Sequence, residues 1–500
     1  MATATSEPVT LTSPGADALD PRRFRVLGII AIAQLMIVLD ASVVTIALPS
    51  AQRALHISVA NRQWALTAYT LAFGGLLLIG GRLADYLGRK RMFVISLLGF
   101  AAASALGGAA QDQAMLFGAR ALQGAFAAVM APASLSLLTV TFTEAKERAK
   151  AFGVYGAISG GGAAIGLVIG GALTTYASWR WTLLINVPIA IITAAVATRE
   201  LHESRVTGEH HYDIPGALAV TAGLLSLVYG FTKAQLDGWG STTTVAFLAV
   251  AVVLLTSFVM WERRTATPLL PLRVVMDRNR GGSFLAALLV GIALFGTFLF
   301  LTYYLQGTLH YSALKSGFAF LPFSGGIIFS ATMASQLLPR FGPRALMTGG
   351  LLMGAIGLIW FTQIGLHTSY VTHVLPAELI VSMGLGFAFV PFSSTALIGV
   401  APHDAGVASA LVNATQQVGG SLGTALLNTV AASATASYIA AHHASSTFTS
   451  LGNVHGYTTG FTVSAIVLFI AAVAAVTLVR ASRHDLPPSD PFAALDLEMA

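Results

Sequence analysis

The sequence predicts an all-α integral membrane protein, and three observations lead to that fold class. Fifty-five per cent of the 500 residues are apolar and only 10% are charged, and the mean hydropathy is +0.75. Because soluble domains carry about 25% charged residues, this chain has too few charges to cover a water-facing surface of its size. Apolar runs long enough to cross a bilayer recur along the chain. A soluble enzyme, a disordered protein and a nucleic-acid-binding protein are therefore excluded, although the net charge is +6.

Fourteen mostly apolar segments have about the 20 residues that a membrane-spanning helix needs. The predicted spans are residues 26–48, 64–82, 92–110, 115–137, 150–173, 182–199, 214–232, 243–261, 283–305, 316–338, 345–366, 373–398, 405–436 and 457–480. The 405–436 segment is too long for a straight span, so we expect it to tilt or to continue past the membrane. The first span exceeds the core of a signal peptide, which predicts an uncleaved anchor.

A repeated motif predicts that the chain contains two related halves. GRLADYLGRKRM at 81–92 follows the second span, and SQLLPRFGPRAL at 335–346 follows the tenth. One constant offset aligns Gly88 with Gly342 and Lys90 with Arg344. Duplicated six-helix halves around a midplane site are typical of secondary transporters. The predicted divisions are an N-terminal tail at 1–25, a six-helix bundle at 26–200, two inserted helices with loops at 201–282, a second six-helix bundle at 283–480 and a tail at 481–500.

The distribution of basic residues predicts the orientation. If the N-terminus is cytoplasmic, 21 of the 27 Lys and Arg residues fall on the inner side and 5 on the outer side, with one inside a span. This asymmetry is what the positive-inside rule expects. The basic charge therefore reports topology rather than a nucleic-acid partner, and both termini are predicted to be cytoplasmic.

Two charges inside the predicted bilayer are the strongest functional signal. Each such charge costs at least about 2.5–3.5 kcal/mol on insertion scales. Among the 21 acidic residues only Asp40 lies well inside a predicted span, and Arg120 is the only deep cation. One interpretation is a structural ion pair that fixes helix packing. We favour the other, in which Asp40 repeatedly loses and regains a proton.

Two further acidic residues have open interpretations. Glu378 follows Pro376 at the predicted start of a helix, where it would suit the helix N-terminus; the alternative is a role in proton coupling or cation binding. Asp85 is the one acid in a turn with four bases, which indicates either a topogenic turn or a cytoplasmic latch. The latch would be formed by Gly81, Asp85, Gly88 and Arg89, and the family resemblance given below favours it.

Glycines and amides within the spans predict close helix contacts and a cavity. Gly162, Gly166 and Gly170 form overlapping GxxxG steps, which suit either static helix packing or a seam that moves between transport states. Amides in spans need a cavity or another helix, because lipid offers them no hydrogen bonds. The residues predicted to form the substrate cavity or the helix seam are Gln34, Gln123, Gly162, Gly166, Gly170, Gly171, Asn413, Gln416 and Gln417.

The sequence does not support a hydrolase, a nucleotide-binding loop or a metal site. Residues 419–423 fit GxSxG around Ser421, but a nucleophile elbow needs a strand, a turn and a helix, whereas this segment is a Gly- and Ala-rich helix. The sequence has no Gly-Lys dipeptide, hence no Walker A loop. The sequence has no Cys. The two His pairs, at 210–211 and 442–443, lack a third metal ligand. We therefore expect no enzyme activity, no metal site and no cofactor.

These motifs together resemble the major facilitator superfamily, and within it the fourteen-helix drug:proton antiporters of the EmrB/QacA type, over nearly the whole chain. The resemblance rests on Leu39–Pro49, on Gly81–Arg91, on Leu116, Arg120, Gln123 and Gly124, on Trp179–Trp181 and on Asn186–Pro188. It implies that Arg120 takes part in proton transfer. The chain departs from the family's fifth-helix motif at Leu167, where the motif has Pro, and this predicts the loss of a kink.

The sequence thus predicts a bacterial cytoplasmic-membrane transporter, acting as a monomer in the lipid bilayer, that exports hydrophobic or amphipathic drugs in exchange for protons. Asp40, Arg120 and Glu378 are the predicted proton-coupling residues, and the proton gradient is the only energy source. An exporter dedicated to one natural product is a close alternative. A proton-coupled uptake symporter is a weaker one, a membrane hydrolase would rest on Ser421 alone, and no feature favours a receptor.

Overall fold

The fold is known from a computed structural model, which describes residues 22–58, 61–142, 145–204, 213–265, 268–270, 272–400, 405–442 and 446–485. Within these ranges every regular element is helical and there is no strand. Ten described segments are long and apolar enough to cross a membrane. The all-helical membrane fold class is therefore confirmed, while the count of fourteen spans remains a prediction.

The first part of the chain folds into seven helices. They are α1 (Arg23–Ala54), α2 (Trp64–Leu87), α3 (Arg89–Gly108), α4 (Gln113–Thr141), α5 (Ala145–Tyr176), α6 (Trp181–Leu184) and α7 (Asn186–Glu200). The predicted span at 182–199 therefore consists of the short α6 followed by α7. The helix α5 is continuous through Leu167.

The remainder begins with a helical hairpin and continues with a second bundle. The helices are α8 (Ile214–Asp237), α9 (Thr242–Glu262), the short α10 (Leu272–Val275), α11 (Arg278–Tyr303), α12 (Ala313–Ala319), α13 (Leu321–Phe361), α14 (Leu375–Thr395), α15 (Ala405–Ala441) and α16 (Ser446–Leu478). Two spans predicted at 316–338 and 345–366 form one element, α13, with a kink at Gly342. As expected from its length, the 405–436 segment extends into a helix of 37 residues.

Packing distinguishes the two ends of the bundle. We call the end where α1 ends and α2 begins the Arg62 end, and the opposite end, where α2 ends, the Gly88 end. Side chains of α1 and α6 near the Arg62 end, such as Ile46 and Leu183, share one apolar core with α11 and α16. Near the Gly88 end, Phe93 and Phe100 belong to a separate core built almost entirely from α1–α7. The two bundles are therefore joined at the Arg62 end.

The structure supports the internal repeat read from the sequence. Gly88 and Gly342 both adopt positive φ angles, 108° and 76°, which favour glycine. Lys90 Nζ donates a hydrogen bond to the Thr198 carbonyl on α7 (2.8 Å), and the aligned Arg344 donates one to the Val476 carbonyl on α16 (2.6 Å). Aligned residues thus make equivalent contacts in the two bundles.

Candidate functional site

Asp40 and Arg120 meet in the interior of the first bundle. Both are 0% exposed, and Arg120 donates directly to Asp40 Oδ2. Gln123 Nε2 and Asn186 Nδ2 donate to the other carboxylate oxygen, Oδ1, at 3.0 and 2.9 Å. Asp40 on α1 therefore accepts hydrogen bonds from α4 and α7, an arrangement that suits a charged carboxylate.

The donors to Asp40 are themselves held by further contacts. Arg120 Nε donates to the Ala65 carbonyl at 3.0 Å, and the Tyr69 ring lies 4.4 Å from the guanidinium carbon. Gln123 Nε2 also donates to Ser104 Oγ at 2.7 Å, and its Oε1 accepts from Arg120 at 2.8 Å. The Asp40 carboxylate on α1 is thus fixed by side chains of α3, α4 and α7 and by the start of α2.

Sequence reasoning identified Asp40 and Arg120 but missed some of their partners. Asn186 was part of a family motif and was not predicted as a site residue; Ser104 and Tyr69 were not singled out. Gln123 was predicted in the substrate cavity or helix seam, whereas the structure buries it beside Asp40. The available signal was the polar character of these side chains within apolar segments, and only the helix packing shows which ones converge.

A cavity of about 320 Å³ lies between the two bundles, beside this network. Its amide-bearing lining residues are Gln34, Asn413, Gln416 and Gln417, all four of which were predicted there. Its aromatic lining residues are Tyr69, Phe73, Tyr155, Phe295, Phe298, Phe323 and Phe389. No charged side chain lines it among the described residues. Such a wall suits an apolar molecule with a few hydrogen-bonding groups.

The glycines of the predicted seam on α5 face two different helices. Gly162, Gly166 and Gly170 face α1, where a Cβ on Gly170 would lie 2.9 Å from the Val43 Cα. Gly171 instead faces α12, where a Cβ would lie 2.7 Å from the Ala313 carbonyl oxygen. Only glycine permits these backbone approaches. The seam therefore packs α5 within its own bundle and, at Gly171, against the second bundle.

A polar cluster joins the bundles at the Arg62 end, and the sequence did not predict it. Arg62 Nε and Nη2 donate to Asn428 Oδ1 on α15 at 3.4 and 3.3 Å. Asn428 Nδ2 donates to Gln63 Oε1 at 3.0 Å, and the Arg62 guanidinium carbon lies 3.9 Å from the centre of the Tyr303 ring. In the part of the chain that the structure describes, no carboxylate pairs with Arg62.

Two more contacts close this end. Thr67 and Thr424 hydroxyls lie 2.8 Å apart, and Gln306 Nε2 donates to the Ile46 carbonyl at 3.0 Å. The cavity lies on the other side of these contacts, where its lining continues through Leu77 and Leu135 toward the Gly88 end. The structure is therefore closed at the Arg62 end.

At the Gly88 end, the Glu203 side chain contacts the turn. Its carboxylate accepts from the backbone N–H groups of Lys90 and Arg91 at 3.1 and 3.0 Å, at the start of α3. The Arg89 N–H donates to the Ser204 carbonyl at 3.0 Å, and Gly81 packs near Pro132. The Asp85 side chain lies outside the described residues. Carboxylates stabilise a helix N-terminus, which explains the position of Glu203.

Glu378 lies in the first turn of α14 and is 0% exposed. The Tyr370 hydroxyl lies 2.9 Å from Glu378 Oε2 and 2.7 Å from the Ala319 carbonyl oxygen. Glu378 Oε1 is buried and has no hydrogen-bond partner in the described structure. Glu378 is thus placed at a helix start, as one interpretation expected, but its recorded partner is a tyrosine side chain rather than a backbone N–H.

Comparisons with known proteins identify the family and the fold of this chain. The sequence model of the Major Facilitator Superfamily matches residues 30–424. The chain is 51% identical to the puromycin resistance protein of Streptomyces alboniger over 94% of this chain and 94% of that protein. It is 39% identical to the cephamycin export protein of Amycolatopsis lactamdurans over 81% of this chain and 84% of that protein. A solved bacterial homologue of the human lysosomal transporter Spinster shares the fold, with a TM-score of 0.66 and 16% identity over 95% of this chain and 100% of that chain.

Proposed function

This chain belongs to the Major Facilitator Superfamily, and on that premise we propose that it expels antibiotic-like compounds in exchange for protons. It is a multi-pass protein of the bacterial cell membrane and a transporter of the drug-efflux type rather than an enzyme. The observation that carries the proposed coupling is the buried Asp40–Arg120 pair beside an uncharged cavity. Ionisable groups inside a membrane protein typically mark proton or substrate pathways.

The finer topology is part of this proposal. The kink at Gly342 divides α13 into two lengths, and α2 and α5 contain shorter apolar helices besides the ten candidate spans. The helix α15 covers the span predicted at 405–436. Fourteen spans follow if each of these crosses the membrane, with six-helix bundles at 26–200 and 283–480. The Lys and Arg asymmetry favours a cytoplasmic Gly88 end and cytoplasmic termini.

Asp40 is the proposed proton carrier and Arg120 its partner. A proton that binds the Asp40 carboxylate removes the negative charge that Arg120, Gln123 and Asn186 now stabilise. At least one of the three donors must then turn away or give up its bond, because a protonated oxygen is a poorer acceptor. Since those donors lie on α4 and α7, protonation loosens the attachment of α1 to at least one of these helices.

The two ends of the bundle would act as alternate gates. The Arg62 cluster holds the outer end closed while the cavity extends toward the cytoplasm. Outward opening would break the bonds between Arg62 and Asn428 and between Thr67 and Thr424. We propose that Gly81, Asp85, Gly88 and Arg89 help to close the opposite end in that state, with Gly171 moving against α12.

The proposed cargo is a lipophilic or amphipathic drug, held by Gln34, Asn413, Gln416 and Gln417, and puromycin is the first compound to test because of the similarity to the puromycin resistance protein. A second candidate is export of one natural product, since relatives are described as export proteins for cephamycin and for tetracenomycin C. A panel of unrelated drugs distinguishes a broad exporter from a dedicated one. We propose that the protein works as a monomer, with no cofactor besides the proton gradient.

Purified protein in proteoliposomes tests the function directly. With an imposed proton gradient, puromycin should move against its own gradient, and a protonophore should abolish that movement. ATP supplied without a gradient should not drive transport. Uphill transport that persists in ATP-loaded, gradient-free vesicles would overturn the proposal.

A further inference from the structure

Tyr69 is the described side chain that both lines the cavity and contacts Arg120. It lies on α2 and is 1% exposed. Its ring forms part of the cavity wall, and the same ring lies 4.4 Å from the Arg120 guanidinium carbon. Phe73, one helical turn further along, lines the same cavity with its ring centre 5.9 Å from that of Tyr69. Substrate that contacts Tyr69 would therefore be one side chain away from the ion pair.

The Tyr69 hydroxyl is unusual because it is buried without a hydrogen-bond partner in the described structure. Buried polar groups in folded proteins are almost always hydrogen-bonded, so an exception calls for an explanation. Tyr hydroxyls that serve as recognition groups combine an apolar ring with one polar tip. Tyr69 lines the cavity while its hydroxyl oxygen is itself buried, so a movement of the ring would bring the hydroxyl to an acceptor atom of a bound molecule.

The Tyr69 ring also contributes to the ion pair. Arg120 uses Nε for the Ala65 carbonyl and Nη1 for Asp40 and Gln123, whereas Nη2 has no hydrogen-bond partner in the described structure. The aromatic face attracts the guanidinium by a cation–π interaction. Tyr69 therefore helps to hold Arg120 in the position in which it donates to Asp40.

We propose that Tyr69 couples drug binding to the proton site. Its hydroxyl donates a hydrogen bond to an oxygen or nitrogen acceptor of the bound drug, and its ring positions Arg120 against Asp40. Movement of the ring on drug binding would then change how firmly Arg120 holds the Asp40 carboxylate. This inference rests on the proposed function, and it defines preferred cargo as lipophilic molecules with a hydrogen-bond acceptor that reaches Tyr69.

Two substitutions separate the hydroxyl from the ring, and a third serves as the control. Tyr69→Phe removes the hydroxyl and retains the ring, whereas Tyr69→Leu removes both. Arg53→Ala, at an exposed position outside the cavity lining, is the control. All three are made in the full chain, and folding is checked by thermal unfolding in detergent.

Three quantities are measured. The first is the puromycin dissociation constant in detergent. The second is the number of protons exchanged per puromycin, and the third is the proton leak of puromycin-free proteoliposomes. Tyr69→Phe should weaken puromycin binding about 5–10-fold, the value of one hydrogen bond, and leave the proton count and the leak unchanged. Tyr69→Leu should weaken binding at least as much, lower the proton count and raise the leak. Arg53→Ala should leave binding, the proton count and the leak as in the wild type.

The outcomes separate this inference from the proposed function. If the wild type exports puromycin with protons but Tyr69→Phe binds it as tightly as the wild type, the hydroxyl does not contact the drug. A folded Tyr69→Leu variant with wild-type proton count and leak would overturn the positioning role. Absence of proton-driven export by the wild type would instead overturn the proposed function.

Discussion

Among the described residues, each bundle buries one carboxylate completely, and the two are held in opposite ways. Asp40 in the first bundle accepts hydrogen bonds from an arginine and two amides. Glu378 in the second bundle meets one tyrosine hydroxyl, and no cation pairs with it among the described residues. Burial of a charge is costly unless the charge is paired and hydrogen-bonded. Only the first bundle therefore provides a site for a charged carboxylate.

The number of hydrogen-bond donors and acceptors around Glu378 favours its neutral, protonated form. The Tyr370 hydroxyl has a single proton but faces two oxygens, those of Ala319 and Glu378. If Glu378 is protonated, its own O–H donates to Tyr370, and Tyr370 donates to the Ala319 carbonyl. Both contacts are then satisfied. The duplicated bundles have therefore diverged: the contacts around Asp40 suit a charged carboxylate, whereas those around Glu378 suit a neutral acid.

The largest expected effect comes from Asp40→Asn. The amide cannot release a proton, so proton-driven uphill export of puromycin should fall to the level of protein-free vesicles. Puromycin binding should survive, because Asp40 does not line the cavity wall. Transport against a gradient and equilibrium binding are measured on the same preparation. Robust uphill transport by this variant would reverse the comparison and make Glu378 the next candidate.

The next largest effect is on stability. Arg120→Ala leaves the Asp40 carboxylate buried without its cation, and breaking a buried pair in this way costs about 3–5 kcal/mol. Thermal unfolding in detergent should show a large loss for Arg120→Ala and a partial recovery in the double variant Asp40→Asn/Arg120→Ala. Arg53→Ala, at an exposed position, is the control. Equal losses in the single and double Arg120 variants would mean that the two charges do not interact.

A smaller effect is expected in both bundles, and it should be larger at Gly88, where a Cβ would also lie 2.6 Å from Glu203 Oε1. Gly88→Ala and Gly342→Ala each force a side chain into a positive-φ conformation, with a strain of about 1–3 kcal/mol. Gly118→Ala is the control, because a Cβ there would meet nothing within 4 Å. Thermal unfolding of the three variants checks the prediction. If only one of Gly88 and Gly342 proved sensitive, the equivalence of the repeated turns would be lost.

The smallest effect is expected for Glu378→Gln. Glutamine keeps a donor for Tyr370 and carries no charge, so it resembles the neutral acid. Its thermal stability should stay within about 1 kcal/mol of the wild type, the net value of one hydrogen bond, and puromycin export should be retained. A much greater loss of stability would show that Glu378 is charged in the folded protein.

The sequence predicted some of these features well, for physical reasons. Asp40 and Arg120 stood out because charges deep in apolar segments are rare, and Gly88 and Gly342 because a repeated motif aligned them. Arg62 and Glu203 did not stand out, since charged residues are common outside spans. Their roles depend on which loop folds over which helix. Asn186 and Tyr69 were equally hard to single out, because spacing alone does not show which polar side chains of different helices converge.

Whether Asp40 exchanges the coupled proton is measured by the release of protons when puromycin binds to detergent-solubilised protein in weak buffer. We compare the wild type with Asp40→Asn and Glu378→Gln at the same puromycin occupancy. The account predicts that the wild type and Glu378→Gln exchange protons on binding and that Asp40→Asn does not. Proton exchange that persists in Asp40→Asn and disappears in Glu378→Gln would contradict it.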